Sequence, residues 1–294
     1  MGEKCFIGIP AYNEESILPK LLDSILKQGN AADIEKIYII SSGSTDRTDE
    51  IAKKFSEKDN RIVLIREEVR RGKACAINLF LDRVPRGGLC VVSSADIIWG
   101  NGMLERLLFA FVDEAIGMAS PRPVPVNNIN TLMGRVVCLL WELKHRISLK
   151  NPKTGEVIAF RKIFDSIAED TLVDEAYIEM LVIKSGKKIA YAGDAIVHNK
   201  GPETLNELIK QRKRIYIGHK LLEKRRQYKC STFNMALVLR EAFFLALSSP
   251  GNFIAVICLY AVEAYSRFLG RIELALGRYN KCGLWDIVET SKEM

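Results

Sequence analysis

Four short polar clusters each adjoin a regular segment, and each holds residue types that can handle charge. The first is Pro10-Ala11-Tyr12-Asn13-Glu14-Glu15, after the apolar run 5–9. Pro10 can stop that run, and Asn13 can cap a helix behind it. The second is Ser41-Ser42-Gly43-Ser44-Thr45-Asp46-Arg47-Thr48, after the β-branched run 36–40. Glycine and hydroxyls at a helix start can approach a nucleotide or its phosphates. The third, Ser94-Ala95-Asp96, ends the buried-type run 89–92. A carboxylate there can hold a hard divalent cation through oxygen. The fourth, Asp174-Glu175, opens a helix, where either acid can serve as a general base, with Glu169-Asp170 just upstream as competitors. Taken singly, each cluster is also what an ordinary turn, cap or helix start would look like.

The elements that position these clusters follow from periodicity. Residues 13–28 carry Ile17, Leu18, Leu21, Leu22, Ile25 and Leu26 at helical spacing, ended by Gly29-Asn30. Strand patterns at 36–40, 61–65 and 89–92 alternate with helical patterns at 46–55 and 73–81. Ser44 or Thr45 is a candidate cap for the second helix. This order predicts an α/β fold with a doubly wound, mostly parallel sheet and helices on both faces. Ligands bind such sheets outside the strand C-terminal ends, so the first three clusters should converge there. The second half is less regular. Residues 118–126 hold three prolines and read as an extended crossing. Helices are expected over 131–149, 174–185 and 203–228, and strands over 156–160, 188–191 and 195–198.

Composition bounds the function. Of 294 residues, 48% are apolar and 27% charged, which excludes a disordered chain. Seven cysteines with no CxxC pair fit a reducing, cytoplasmic compartment better than a disulfide framework. No signal peptide is expected before the first strand. No P-loop or GxGxxG signature is present, and no RRM, KH or zinc signature supports nucleic-acid binding. The net charge is +7. Between Lys210 and Lys229 there are nine basic residues and one acid, +8, which leaves −1 for the rest.

Six segments in order, PAYNEE, SSGSTDRT, RRGKACAIN, SAD, VDEAYIE and QRKRIY, resemble the inverting family 2 glycosyltransferases of the GT-A fold. The resemblance covers residues 5–220, about three quarters of the chain. It implies a nucleotide-sugar half (1–100) and an acceptor half (101–230) of one GT-A domain. It also implies donor contacts from Pro10, Ala11, Tyr12, Glu14, Ser42, Gly43, Asp46, Lys73, Ser94, Ala95 and Asp96, with Gly72 and Asn78 near the nucleotide. Ser41 and Ser42 stand where the family usually has acids. The family's Asp-x-Asp metal motif reads Ser94-Ala95-Asp96, which keeps the second acid, so Mg²⁺ or Mn²⁺ held by Asp96 is implied. The acceptor-side Glu-Asp pair is reversed, which puts Glu175 in the base position and keeps Asp174 as the alternative. Gln-x-x-Arg-Trp becomes Gln211-Arg212-Lys213-Arg214-Ile215, so Gln211 and Arg214 are implied diphosphate or acceptor contacts. His198 is a further candidate for the diphosphate or metal, and Trp99 for the sugar pocket.

The activity implied is transfer of a sugar from a nucleoside-diphosphate sugar to a hydroxyl or phosphate acceptor. Residues 242–262 hold no charge and have Ser248-Ser249-Pro250-Gly251-Asn252 at their middle. With basic flanks on both sides, 231–294 is expected to form an apolar helical hairpin and tail at the cytoplasmic membrane face, through 210–229 and 233–271. A membrane-spanning segment within 242–262 and a buried hairpin are the alternatives. A lipid-linked or glycan acceptor follows from that placement. Two other functions compete: a catalytically impaired, glycosyltransferase-like nucleotide-sugar-binding protein, and a nucleotidyltransferase.

Overall fold

The computed structural model describes residues 4–29, 33–228 and 235–279. Asn30, Lys229, residues 233–234 and the tail from 280 onward therefore lie outside the described residues. The elements run β1 (Cys5–Ala11), α1 (Leu18–Leu26), β2 (Ile34–Ser42), α2 (Thr48–Lys58), β3 (Ile62–Glu67), α3 (Lys73–Leu81), β4 (Leu89–Ser93) and β5 (Ile97–Trp99). Then follow α4 (Met103–Phe109), β6 (Ile116–Pro125), α5 (Leu132–Ser148), β7 (Val157–Arg161), α6 (Asp174–Lys184) and β8 (Lys188–Asn199). Three helices close the described chain: α7 (Leu205–Arg226), α8 (Met235–Leu247) and α9 (Pro250–Ala275).

One eight-stranded sheet runs in the order β3-β2-β1-β4-β7-β6-β8-β5. β1 pairs in parallel with β2 and β4, and β2 with β3, as the alternating pattern predicts. The second half is mixed: β6 and β8 are parallel, while β4–β7, β7–β6 and β8–β5 are antiparallel. From β1 the chain steps outward through β2 and β3, then returns to β4 on the other side. The crevice at the ends of β1 and β4 is thus a topological switch point.

Strand alternation divides the core. Ile7, Ile9, Val91, Ile97, Trp99, Val157, Ala159 and Val197 face α1, α2 and α4. Leu18, Leu21, Leu22 and Ile25 of α1 are fully buried there, each worth about 1.5–3 kcal/mol. Cys90, Val92, Ile158 and Phe160 face the opposite way, against α3 and α6. A third cluster joins α5, α7, α8 and α9.

Several local expectations change. Residues 118–126 are not a crossing but the core strand β6. The Val126 N–H donates to Asn199 O in β8, so even-numbered donors of this strand face β8. Pro121, Pro123 and Pro125 therefore lack donors only on the other edge, where β7 pairing stops at Ala119. Residues 188–191 and 195–198 are one strand with a register shift, not two. α1 starts at Leu18, because Asn13 takes a left-handed conformation (φ 53°) instead of capping it. α2 starts at Thr48, and Ser44 and Thr45 bond the first loop rather than the helix. Trp99 is 3% exposed and donates to Ser93 Oγ at 3.2 Å, so it packs in the core rather than lining a sugar pocket.

Candidate active site

The first two loops are stapled together at the strand ends. The Thr45 N–H donates to Asn13 Oδ1 at 2.8 Å, and the Asn13 N–H to Ser44 Oγ at 3.2 Å. The Glu14 N–H donates to Thr48 Oγ1 (2.8 Å) and the Glu15 N–H to Asp46 Oδ2 (3.0 Å). Asp46 Oδ1 accepts from the Thr48 N–H at 2.9 Å. Asp46 Oδ2 thus ties the second loop to the first while Oδ1 holds the start of α2, and Glu14 is buried behind them. Ser42 Oγ accepts from the Arg71 N–H, and the Tyr12 ring lies 4.0 Å from the Arg70 guanidinium. Ala11 and Ala95 turn their side chains into the first core. Pro10 is half-buried beside them.

Gly43 holds this cradle shut. Its φ is 67°, and a Cβ there would lie 2.7 Å from the Arg70 backbone nitrogen. Gly43→Ala is expected to lower stability by about 2 kcal/mol, read as the shift in urea midpoint at constant slope.

A second group gathers where α3, α6, α5 and α7 meet. Gly72 (φ 98°) turns the chain into α3 and sets Lys73 at its start. Lys73 Nζ lies 2.8 Å from both Asp174 Oδ2 and Glu175 Oε1. Burial alone would push the ammonium down, but the two carboxylates hold it above its ordinary range. Asp174 is raised by burial and by Glu175. Glu175 is also opposed by burial, yet Lys73 holds it below the usual carboxylate value. Asn78 braces the approach to α6: its Nδ2 donates to Ile167 O and its Oδ1 accepts from the Ile167 N–H.

Two residues absent from the sequence reading complete the group. Glu156 is pushed up to about 7 by burial and by Asp96. Lys144 of α5 is pulled down to about 8 by burial, against the pull of Glu156. Its ammonium sits 4.3 Å from the Trp141 ring centroid. No sequence motif marks either residue. Their approach is made by cross-strand pairing and by the docking of α5.

Arg214 of α7 faces the same group. Burial lowers its guanidinium, while Glu175, Asp174, Glu156 and Asp96 hold it up. Gln211 lies nearly one turn earlier on α7, half-buried. His198 pairs across the ladder with Ile98, two residues past Asp96. Ala95, Ile97, Trp99 and Val197 pack into the first core, and alternation along β8 sets His198 on the face opposite Val197.

The basic helix is less free than its composition implies. Arg212 pairs with Glu263 and Lys213 with Glu273, both on α9, and Arg225 pairs with Asp170. Only part of the +8 faces solvent.

Among the described residues, no three His, Cys, Asp or Glu side chains close into a ready-made metal cage. The donor set still suits Mg²⁺ or Mn²⁺. Such ions bind one or two carboxylates and complete their shell with substrate phosphates and water. Asp96 and the crevice around it supply that hard-oxygen chemistry.

The shifts of Glu156 and Lys144 predict a stability trough in metal-free protein. Glu156 ionises near 4.5 when unfolded and about 7 when folded, so stability falls as pH rises between those values. Lys144 deprotonates at about 8 when folded and 10.5 when unfolded, so stability returns over that range. Unfolding against pH in chelator should show the trough, and Glu156→Gln should remove its acid-side descent.

The sheet order, the switch-point crevice and the loop cradle are those of a GT-A-like fold. Residues 6–172 match Glycosyl transferase family 2, and the chain belongs to that family. The glycosyltransferase GlyA of Streptococcus pneumoniae is 40% identical over 120 residues, which are 40% of this chain and 17% of that protein. GlyG of the same organism is 34% identical over 36% of this chain and 35% of its own length. The chain thus spans about a third or less of these two relatives. The O-antigen chain rhamnosyltransferase RfbN of Salmonella typhimurium is 25% identical over 68% of each chain. In fold, the chain is similar to a mannosyltransferase from Pyrobaculum calidifontis solved with GDP-Man and Mn²⁺. That match has a TM-score of 0.63 and 19% identity, covering 99% of this chain and 85% of the other.

Proposed function

We propose that the chain is an inverting, cation-dependent glycosyltransferase acting on a lipid-linked or glycan acceptor at the cytoplasmic membrane face. The observation that carries the chemistry is the convergence of Asp96, Glu156, Lys73, Glu175 and Arg214 from five separate elements. The nucleoside-diphosphate sugar lies across the ends of β1, β2 and β4. Asp96 would hold Mg²⁺ or Mn²⁺, which when bound would offset negative charge on the diphosphate. Glu175 takes the proton of the acceptor hydroxyl as its oxygen bonds to the anomeric carbon. The bond from that carbon to the diphosphate breaks, and its electron pair leaves with the phosphate oxygen. Arg214 and Lys73 oppose the charge that builds there. A thermal-shift screen of UDP-, GDP- and dTDP-sugars tests this reading. One base should raise the melting temperature, more so with Mn²⁺. No shift with any donor would defeat it.

The membrane part rests on α8 and α9. α9 is long and apolar enough to cross a bilayer, with a mean hydropathy of 1.5 over an 18-residue stretch. Yet Glu263 and Glu273 tie it to α7, and Gly270 packs on Tyr216 of the same helix. α7 also carries Arg214, so α9 cannot stand across a bilayer without drawing the site into it. Its outer face exposes Phe253, Ile257 and Phe268, each more than half accessible, and α8 adds Phe243 and Leu247. An in-plane hairpin on the lipid surface fits both faces. Phe253→Ser with Ile257→Ser and Phe268→Ser should lower binding to anionic phospholipid vesicles at least ~10-fold in flotation, with the fold intact. Equal flotation of this variant would sink the placement.

A further inference from the structure

We propose that Glu156 supplies the cation-binding carboxylate that Ser94 cannot, so the metal motif is split across two strands. The inference rests on the glycosyltransferase reading above and adds a residue to it. β4 and β7 are antiparallel, with Ser93 opposite Val157 as their last ladder pair. One rung further, the Ser94 N–H donates to Glu156 O at 3.0 Å. Ser94 and Glu156 are therefore directly opposed. Side chains so placed share a face, with Cβ atoms about 5 Å apart.

Which face follows from the alternation. Cys90 and Val92 of β4 and Ile158 and Phe160 of β7 all lie in the core against α3 and α6. Continuing each strand by two residues puts Ser94 and Glu156 on that same face. Asp96 follows two residues later, with its neighbours Ala95 and Ile97 turned into the other core. A glutamate starts one strand away from the motif but reaches one methylene further than an aspartate. Its carboxylate can thus enter the space that an acid at position 94 would fill.

The surroundings fit a cation there. Lys144 reaches into this region from α5, and a Cβ on Gly155, the residue before Glu156, would lie 2.5 Å from its Nζ. A cationic side chain thus already sits beside the segment that carries Glu156. Two carboxylates plus a diphosphate are a sufficient shell for Mg²⁺ or Mn²⁺, so no third protein ligand is required.

The test is Mn²⁺ titrated into the full chain with UDP, GDP or dTDP present, free Mn²⁺ being read by electron paramagnetic resonance. Glu156→Gln should weaken Mn²⁺ binding at least ~10-fold, as loss of a carboxylate ligand does. Adding Ser94→Asp to that variant should recover most of the loss, because the acid returns to the motif from the other strand. Glu156→Asp should give an intermediate loss, and it serves if the glutamine variant does not fold. If Asp96→Asn weakens Mn²⁺ binding while Glu156→Gln and Glu156→Asp do not, Glu156 is not a ligand and the broader reading stands. If Glu156→Gln weakens binding but Ser94→Asp restores nothing, the split motif is wrong. If Mn²⁺ binds none of the proteins, both this inference and the cation-dependent reading fall.

Discussion

Glu175→Gln is expected to reduce the turnover of sugar transfer by roughly 10²–10⁴-fold, with donor binding and fold retained. A base must be ionised and must reach the acceptor hydroxyl. Lys73, 2.8 Å away, holds Glu175 ionised at neutral pH. Its charge is also felt by Arg214, Lys144 and Glu156, so it faces the shared interior of the site. Asp174 is only 7% exposed and anchors Lys73 from behind. Asp174→Asn should therefore lower stability more than it lowers turnover. Steady-state kinetics on both variants, with donor affinity measured separately, distinguishes them. If Asp174→Asn loses turnover and Glu175→Gln keeps it, the roles are exchanged.

Lys73→Met should destabilise the fold by about 3 kcal/mol at neutral pH, because it leaves the buried Asp174 and the half-buried Glu175 without their cation. The pH dependence has a definite sign. The Lys73 ammonium is held above its ordinary range, so its contribution is complete at neutral pH and is lost only in strong alkali. Glu175 is held below its ordinary value of 4.5. Its share of the stabilisation is present above that value and fades as pH falls through the folded one. The variant and the parent protein should thus converge in acid, where the carboxylates are protonated. Urea unfolding at neutral and acidic pH measures the gap. A gap that stays constant with pH would show that Lys73 acts through packing rather than charge.

The two variants act on residues 102 positions apart in the chain, and only part of their meeting is legible in the sequence. Lys73 and the Asp174-Glu175 pair each stand in a recognisable segment. The ion pair between them depends on α3 and α6 packing on one face of the sheet. The charge on α7 shows the same limit. Its composition points outward, to anionic lipid, yet Arg212 and Lys213 turn to acids on α9. Nothing within α7 encodes that choice. It is set by the angle at which the hairpin docks.

Local information accounts for what the sequence determined by itself. Strand runs, helix faces, the break at 248–252 and the polar turns depend on neighbours within a few residues, so periodicity and side-chain type expose them. The order of six motifs adds the family. The tertiary structure decided what depends on distant partners. It turned Asp46 into a joint between loops and put Trp99 in the core. It made a proline-rich segment into a strand by keeping its missing donors on one edge. It also brought Glu156 across a ladder to Ser94 and Asp96. An isolated glutamate before a short strand carries no local mark of that role, because the register of β4 against β7 is a property of the sheet and not of either segment.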